Sequence, residues 1–174
     1  MDVMPPRAAA LVFGLLAACG CTAKREIADV AGKVNPTIEQ LAPFDAALDE
    51  TKNTNPYVGG AADPWAQDVR AKCAEAAPIV AKLDLGDGAV LSYHDEDVRS
   101  VVRQLHQVAD AWRRTTTDSC ARSRKPDALA TELQSCATYC QLGWGELKRD
   151  LSYAHRYAAK LGGALRTIGE PETQ

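Results

Sequence analysis

The sequence predicts an all-α domain, an antiparallel four-helix bundle stapled by disulfides. Three observations carry this. Apolar residues recur every three or four positions in four separate segments, the spacing of one helix face. Polar turns containing proline or glycine separate those segments. Alanine is abundant, while only two Phe, five Tyr and three Trp are present, and small side chains let helices pack closely.

The first stripe runs Ile27, Val30, Val34, Ile38, Leu41, Phe44 and Leu48. Asn35-Pro36 fits a helix start, with Asn as cap and Pro in the first turn. Pro43 lies inside the pattern and is expected to kink or break it. Residues 53–62, with Pro56 and Gly59-Gly60, read as a loop, and Asp63-Pro64 as the next helix start. Trp65, Val69, Cys73, Ala76, Val80 and Leu83 form the second stripe, with a bend expected at Pro78. Gly86-Asp87-Gly88 makes a turn, and Ser92 followed by Asp95 resembles a capping box. The third stripe is the cleanest: Val98, Val101, Leu105, Val108 and Trp112. It is expected to fray at Thr115-Thr116-Thr117, three β-branched residues in a row.

Pro126-Asp127 opens the last segment, whose stripe runs from Leu129 through Cys136, Cys140, Leu147, Leu151, Ala154, Ala158, Leu161 and Leu165 to Ile168. One helix of that length would span roughly 60 Å. A bend or break is therefore expected at Gly143-Trp144-Gly145. The bundle domain covers residues 27–168 and a polar tail 169–174.

Cys73, Cys120, Cys136 and Cys140 fall on or beside the inner stripes. An even number of cysteines without Cys-x-x-Cys pairs reads as two disulfides in an oxidising compartment, in preference to a zinc site. Cys136 and Cys140 share a face one turn apart, so each is expected to pair with another element. The antiparallel layout favours Cys73–Cys140 with Cys120–Cys136; Cys73–Cys136 with Cys120–Cys140 stays open.

The N-terminus carries an address. After Arg7 an uncharged run from Ala8 to Ala18 ends in Leu16-Ala17-Ala18-Cys19. Eleven helical residues rise only about 16 Å, half the hydrocarbon core, so this is a secretory h-region and not a spanning helix. Leu-Ala-Ala-Cys resembles the lipobox of bacterial lipoproteins at all four positions. The resemblance covers only residues 1–21. It implies a signal peptide over 1–18, a diacylglyceryl group on the Cys19 thiol, and usually an N-acyl chain, palmitate among them, on the freed amine. Two or three acyl chains anchor stably where one does not. Residues 19–26, ending in the polar Thr22–Glu26 stretch, would be a lipidated tether. Gly20 stands where the inner-membrane retention signal of enteric bacteria is Asp, which favours the outer membrane, with the domain in the periplasm or at the cell surface. Cys21 is left as an unassigned thiol.

Residues 1–18 hold one base, Arg7, and one acid, Asp2, so the formal net charge of −3 survives their removal. This mild acidity gives no footprint for nucleic acid. His94, His106 and His155 are far apart and form no ligand pair. Asp95, Glu96 and Asp97 after His94 read as a first-turn acidic cluster that favours the helix dipole. There is no Gly-x-Ser-x-Gly elbow and no phosphate loop. Cys136-Ala-Thr-Tyr-Cys140-Gln is not a covalent haem motif. Arg99, Arg103, Arg113 and Arg114 give the third helix a basic side, read as a solvated face.

Trp144, Tyr153, His155 and Tyr157 are the candidate ligand or partner surface. His155 stands near the end of the last helix, similar in position to the haem ligand of b-type cytochrome bundles, and a kink at Trp144 would open a pocket. The expected function is a membrane-anchored, non-enzymatic envelope lipoprotein, a binding or structural module with an envelope protein partner and no metal or cofactor. The alternatives are a bundle holding a hydrophobic or haem-like guest and, less favoured, an envelope hydrolase.

Overall fold

The computed structural model describes residues 8–52 and 64–169, with side chains from Cys21 onward. Its principal elements are helices: α1 (Ala8–Leu41), a 3₁₀ turn over Ala42–Phe44, α2 (Asp45–Leu48), α3 (Pro64–Val80), α4 (Asp87–Ser92), α5 (Glu96–Arg114), a π-helical turn over Thr115–Ser119, and α6 (Ala130–Lys160). The expected loop over 53–62, the Asp63 cap and the tail beyond Gly169 lie outside the described residues. The four long helices α1, α3, α5 and α6 form the bundle. Helices α1 and α6 each pack on both α3 and α5.

The stripes face one another as their spacing requires. Val69, Cys73, Ala76 and Val80 of α3 are buried against Val98, Val101, Leu105, Val108 and Trp112 of α5 and against the inner face of α6 in one continuous core. Each fully buried Val or Leu side chain contributes about 1.5–3 kcal/mol.

Several expectations are corrected. Helix α1 does not start at Asn35-Pro36 but runs through it, with Pro36 inside. The stretch Thr22–Glu26, expected as a tether, is helical, and Ala23 and Glu26 are buried. Burial of Glu26 is offset by the backbone N–H groups of His94 at 3.1 Å and Asp95 at 3.0 Å, which donate to its carboxylate and tie α1 to the start of α5. Asp95, not Ser92, caps α5, accepting from Asp97 N and Val98 N; the Ser92 hydroxyl donates to Ala89 O instead. The three threonines wind into the π-helical turn, where Thr116 Oγ1 donates to Trp112 O at 3.1 Å.

Helix α6 is not broken at Gly143-Trp144-Gly145. Gly143 serves close packing: a Cβ there would stand 3.0 Å from Thr115 Cγ2. The helix ends before Ile168, at Lys160. Gly162, at φ +77°, is the left-handed residue of a Schellman ending, in which Gly163 N–H donates to Ala158 O at 2.8 Å and Gly162 N–H to Ala159 O at 3.0 Å. The chain then reverses as an irregular strap, 163–169. Asn35 holds it on the α1 side, donating to Ala164 O at 2.9 Å and accepting Arg166 N–H at 2.8 Å. On the α6 side, His155 Nδ1 contacts Leu165 O. Leu165 and Ile168 are buried in the core.

Two glycines give opposite expectations. A Cβ at Gly163 would lie 2.7 Å from Cγ1 of fully buried Ile27, so Gly163→Ala should lower unfolding stability by about 1–3 kcal/mol. A Cβ at Gly145 meets nothing within 4 Å, and Gly145→Ala should raise stability by about 0.5–1 kcal/mol. Denaturant unfolding of both variants checks the pair.

Candidate functional site

The side chains that organise the molecule lie on one row of α6, four positions apart: Cys136, Cys140, Trp144 and Lys148. Residues at this spacing stack along one side of a helix. Each reaches a different part of the chain. Cys136 is bonded to Cys120, beyond the π-helical turn. Cys140 is bonded to Cys73 of α3. Trp144 Nε1 donates to Asp45 Oδ1 at 2.9 Å. Lys148 Nζ donates to Asp49 Oδ2 at 2.5 Å and lies 2.9 Å from Asp45 Oδ1.

Asp45 is the centre of a buried polar knot. Its carboxylate meets Trp144 and Lys148 of α6, Lys52 beyond α2, and the end of the strap, where a Cβ at Gly169 would fall 2.6 Å from Asp45 Oδ2. Burial alone would raise the Asp45 pKa, but hydrogen bonds from Lys52, Trp144 and Lys148 outweigh it and hold the carboxyl below its ordinary range. Asp49 follows the same logic. Burial opposes its charge, yet hydrogen bonds from Lys148 and from the Thr51 hydroxyl and backbone lower it from 3.8 to about 2. The Lys148 ammonium is pushed down by burial and, more strongly, up by the two carboxylates. The Trp144 ring also meets Trp112 edge to face, centroids 5.7 Å apart.

These positions correct the candidate surface. Trp144 is fully buried, a core residue with a satisfied N–H, and presents nothing to a partner. His155 is half-buried and holds the strap through Leu165 O. The hollow lined by Trp112 and Gly143, beside Trp144, has a volume of about 10 Å³, room for about one water. Tyr153 and Tyr157 are exposed, with Arg156 4.6 Å over the Tyr153 ring and Lys160 5.0 Å over the Tyr157 ring. They continue a half-exposed line on the outer face of α6 that also includes Tyr139 and Leu142.

Elsewhere the charged candidates are paired. His94 Nδ1 sits 3.1 Å from Glu26 Oε1. Arg99 and Arg103 engage Glu96, and Arg113 and Arg114 engage Asp110. Cys19 falls within α1, its side chain outside the described residues; Cys21 is exposed and unbonded. No helix among the described residues is long and apolar enough to cross a membrane. Compared with known proteins, the chain matches no family model, no curated sequence and no solved structure.

Sequence reasoning passed over Asp45, Asp49 and Lys148. The available signal was Asp45 itself, an acid set between Leu41 and Leu48 at the inner-stripe spacing, where a buried carboxylate requires partners.

The depressed Asp49 pKa sets an acid limit. Its contribution is fully present above the ordinary 3.8 and is lost as pH falls through about 2, an effect of about 2 kcal/mol. Unfolding free energies of the wild type and Asp49→Asn should therefore converge by about that amount between roughly pH 5 and pH 2. A gap that stays constant over this range would contradict the assignment.

Proposed function

We propose that this chain is an envelope lipoprotein, acylated at Cys19, whose helical domain works without catalysis as a binding or structural module. The observation that carries the reading is the Leu16-Ala17-Ala18-Cys19 motif at the end of an uncharged h-region. Cleavage there leaves Cys19 as the first residue and the diacylglyceryl group on its thiol. Two features support it. First, α1 continues from Cys19 into the bundle without a break, so only about 3 Å of helix axis separates the acylated residue from Cys21. An anchor so placed transmits its position directly to the domain. Second, the two disulfides suit an oxidising envelope compartment.

The domain's working surface is the outer face of α6, where Tyr139, Leu142, Tyr153 and Tyr157 stand half-exposed beside Arg156 and Lys160. Tyrosine and arginine are the commonest interface anchors, because each offers an apolar body and a polar tip. A protein partner in the envelope fits this face. The guest-binding alternative loses support, since Trp144 and His155 are each committed to internal hydrogen bonds. Gly20 directs the anchored form to the outer membrane.

Metabolic labelling with palmitate tests the anchor. The wild type should incorporate label and fractionate with membranes, whereas Cys19→Ser should do neither. Unchanged labelling and fractionation of that variant would overturn the reading.

A further inference from the structure

The two disulfides are not independent of each other. Cys120 Sγ lies 3.8 Å from Cys140 Sγ, although each is bonded to a different partner. The sulfurs of Cys120, Cys136 and Cys140 all fall within 4.8 Å of one another. All four bridging cysteines border one partly open cavity of about 230 Å³, which Arg70 and Arg124 also line. That volume admits several waters or the thiol end of a small molecule.

We propose that the two bridges form a single thiol–disulfide exchange site, served by a small dithiol reductant entering this cavity. The chemistry follows from the contacts. A thiolate of the reductant attacks Cys136 Sγ, the Cys120–Cys136 bond breaks, and its electron pair leaves on Cys120. The reductant's second thiol then displaces Cys136, so the reductant departs as its own disulfide and Cys136 is left as a thiol. The Cys120 thiolate next attacks Cys140 Sγ. A Cys120–Cys140 bond forms, the Cys73–Cys140 bond breaks, and the electron pair leaves on Cys73, which takes a proton from water. Two electrons and two protons have entered, and one bridge remains.

Geometry selects Cys120 as the attacking group. At 3.8 Å its sulfur is already in van der Waals contact with its target, close to the separation of a near-attack pair. Cys136 is the poorer choice, because it shares a helix face with Cys140 one turn away and their Cβ vectors run side by side. The neighbouring arginines favour a thiolate. They also hold the segment that carries Cys120: Arg70 donates to Ser123 O at 2.7 Å and Arg124 to Thr116 O. The product frees Cys73, so partial reduction removes the covalent tie between α3 and α6 while the segment after the π-helical turn stays bonded to α6.

The test is stepwise reduction of the exported full chain by dithiothreitol, followed by acid quench, alkylation and peptide mapping, which scores Cys19 and Cys21 separately. Molecules reduced by two electrons should carry a Cys120–Cys140 bridge, with alkylated Cys73 and Cys136. In the double variant Cys120→Ser/Cys136→Ser, the Cys73–Cys140 bridge should be reduced at least about tenfold more slowly than in the wild type, because the internal nucleophile is gone. The proposal is overturned if two-electron species retain Cys73–Cys140 with Cys120 and Cys136 alkylated, if they carry Cys136–Cys140, or if the double variant is reduced at the wild-type rate. The mapping uses the unaltered protein and decides the matter even where the double variant fails to fold.

Discussion

A buried carboxylate, Asp45, stands where three separate parts of the chain meet. The corner between α1 and α2 supplies it, the middle of α6 supplies Trp144 and Lys148, and the strap ends against it at Gly169. A charge in that position is costly unless every lone pair finds a donor. The donors come from elements distant in sequence, so the charge is tolerated only when all of them are in place. That makes the knot a condition on the fold as much as a source of stability. Replacing the whole knot by well-packed apolar groups need not destabilise the chain; removing one partner should.

The rest of the architecture divides around this constraint. On one side of α6, disulfides from Cys136 and Cys140 secure α3 and the segment after the π-helical turn. Farther along the same row, Trp144 and Lys148 secure α2 and the residue that follows it by polar contacts. The strap completes the second half: Asn35 and His155 grip its backbone from α1 and α6, while Leu165 and Ile168 enter the core. One helix therefore presents covalent ties at its beginning and polar ties toward its middle. The outer face of the same helix remains exposed, and under the proposed function it is the face offered to a partner.

What the sequence made legible, and what it hid, follows from the range of the interactions. The inner stripes of α3 and α5 are periodic and local, so residues such as Val69, Val101 and Leu105 could be placed from spacing alone. The cysteine register on those stripes led to Cys73–Cys140 and Cys120–Cys136 as the favoured pairs. Asn35-Pro36 misled because a proline in the first turn and one inside a helix look alike locally; the strap's claim on Asn35 is a contact between residues 129 positions apart. Gly143 and Gly145 misled similarly. The helix needs Gly143 for the approach of Thr115, a tertiary reason that mimics a break. Trp144 looked like a surface residue because its partner, Asp45, lies 99 positions away. The end of α6 was hidden by apolar spacing that continues through Leu165 and Ile168 into the strap, although the Gly162-Gly163 pair marks the reversal.

If the Asp45 knot holds α2, and through it the end of α1, together with the strap to α6 independently of the disulfides, local opening should show it. The direct measurement is amide hydrogen exchange on Asp45→Ala beside the wild type. Exchange in the second half of α1 and in residues 164–168 should accelerate together, by about tenfold or more, while α3 and the Cys136–Cys140 turn of α6 keep their protection. Uniform acceleration throughout the bundle, or none at all, would contradict this role for Asp45.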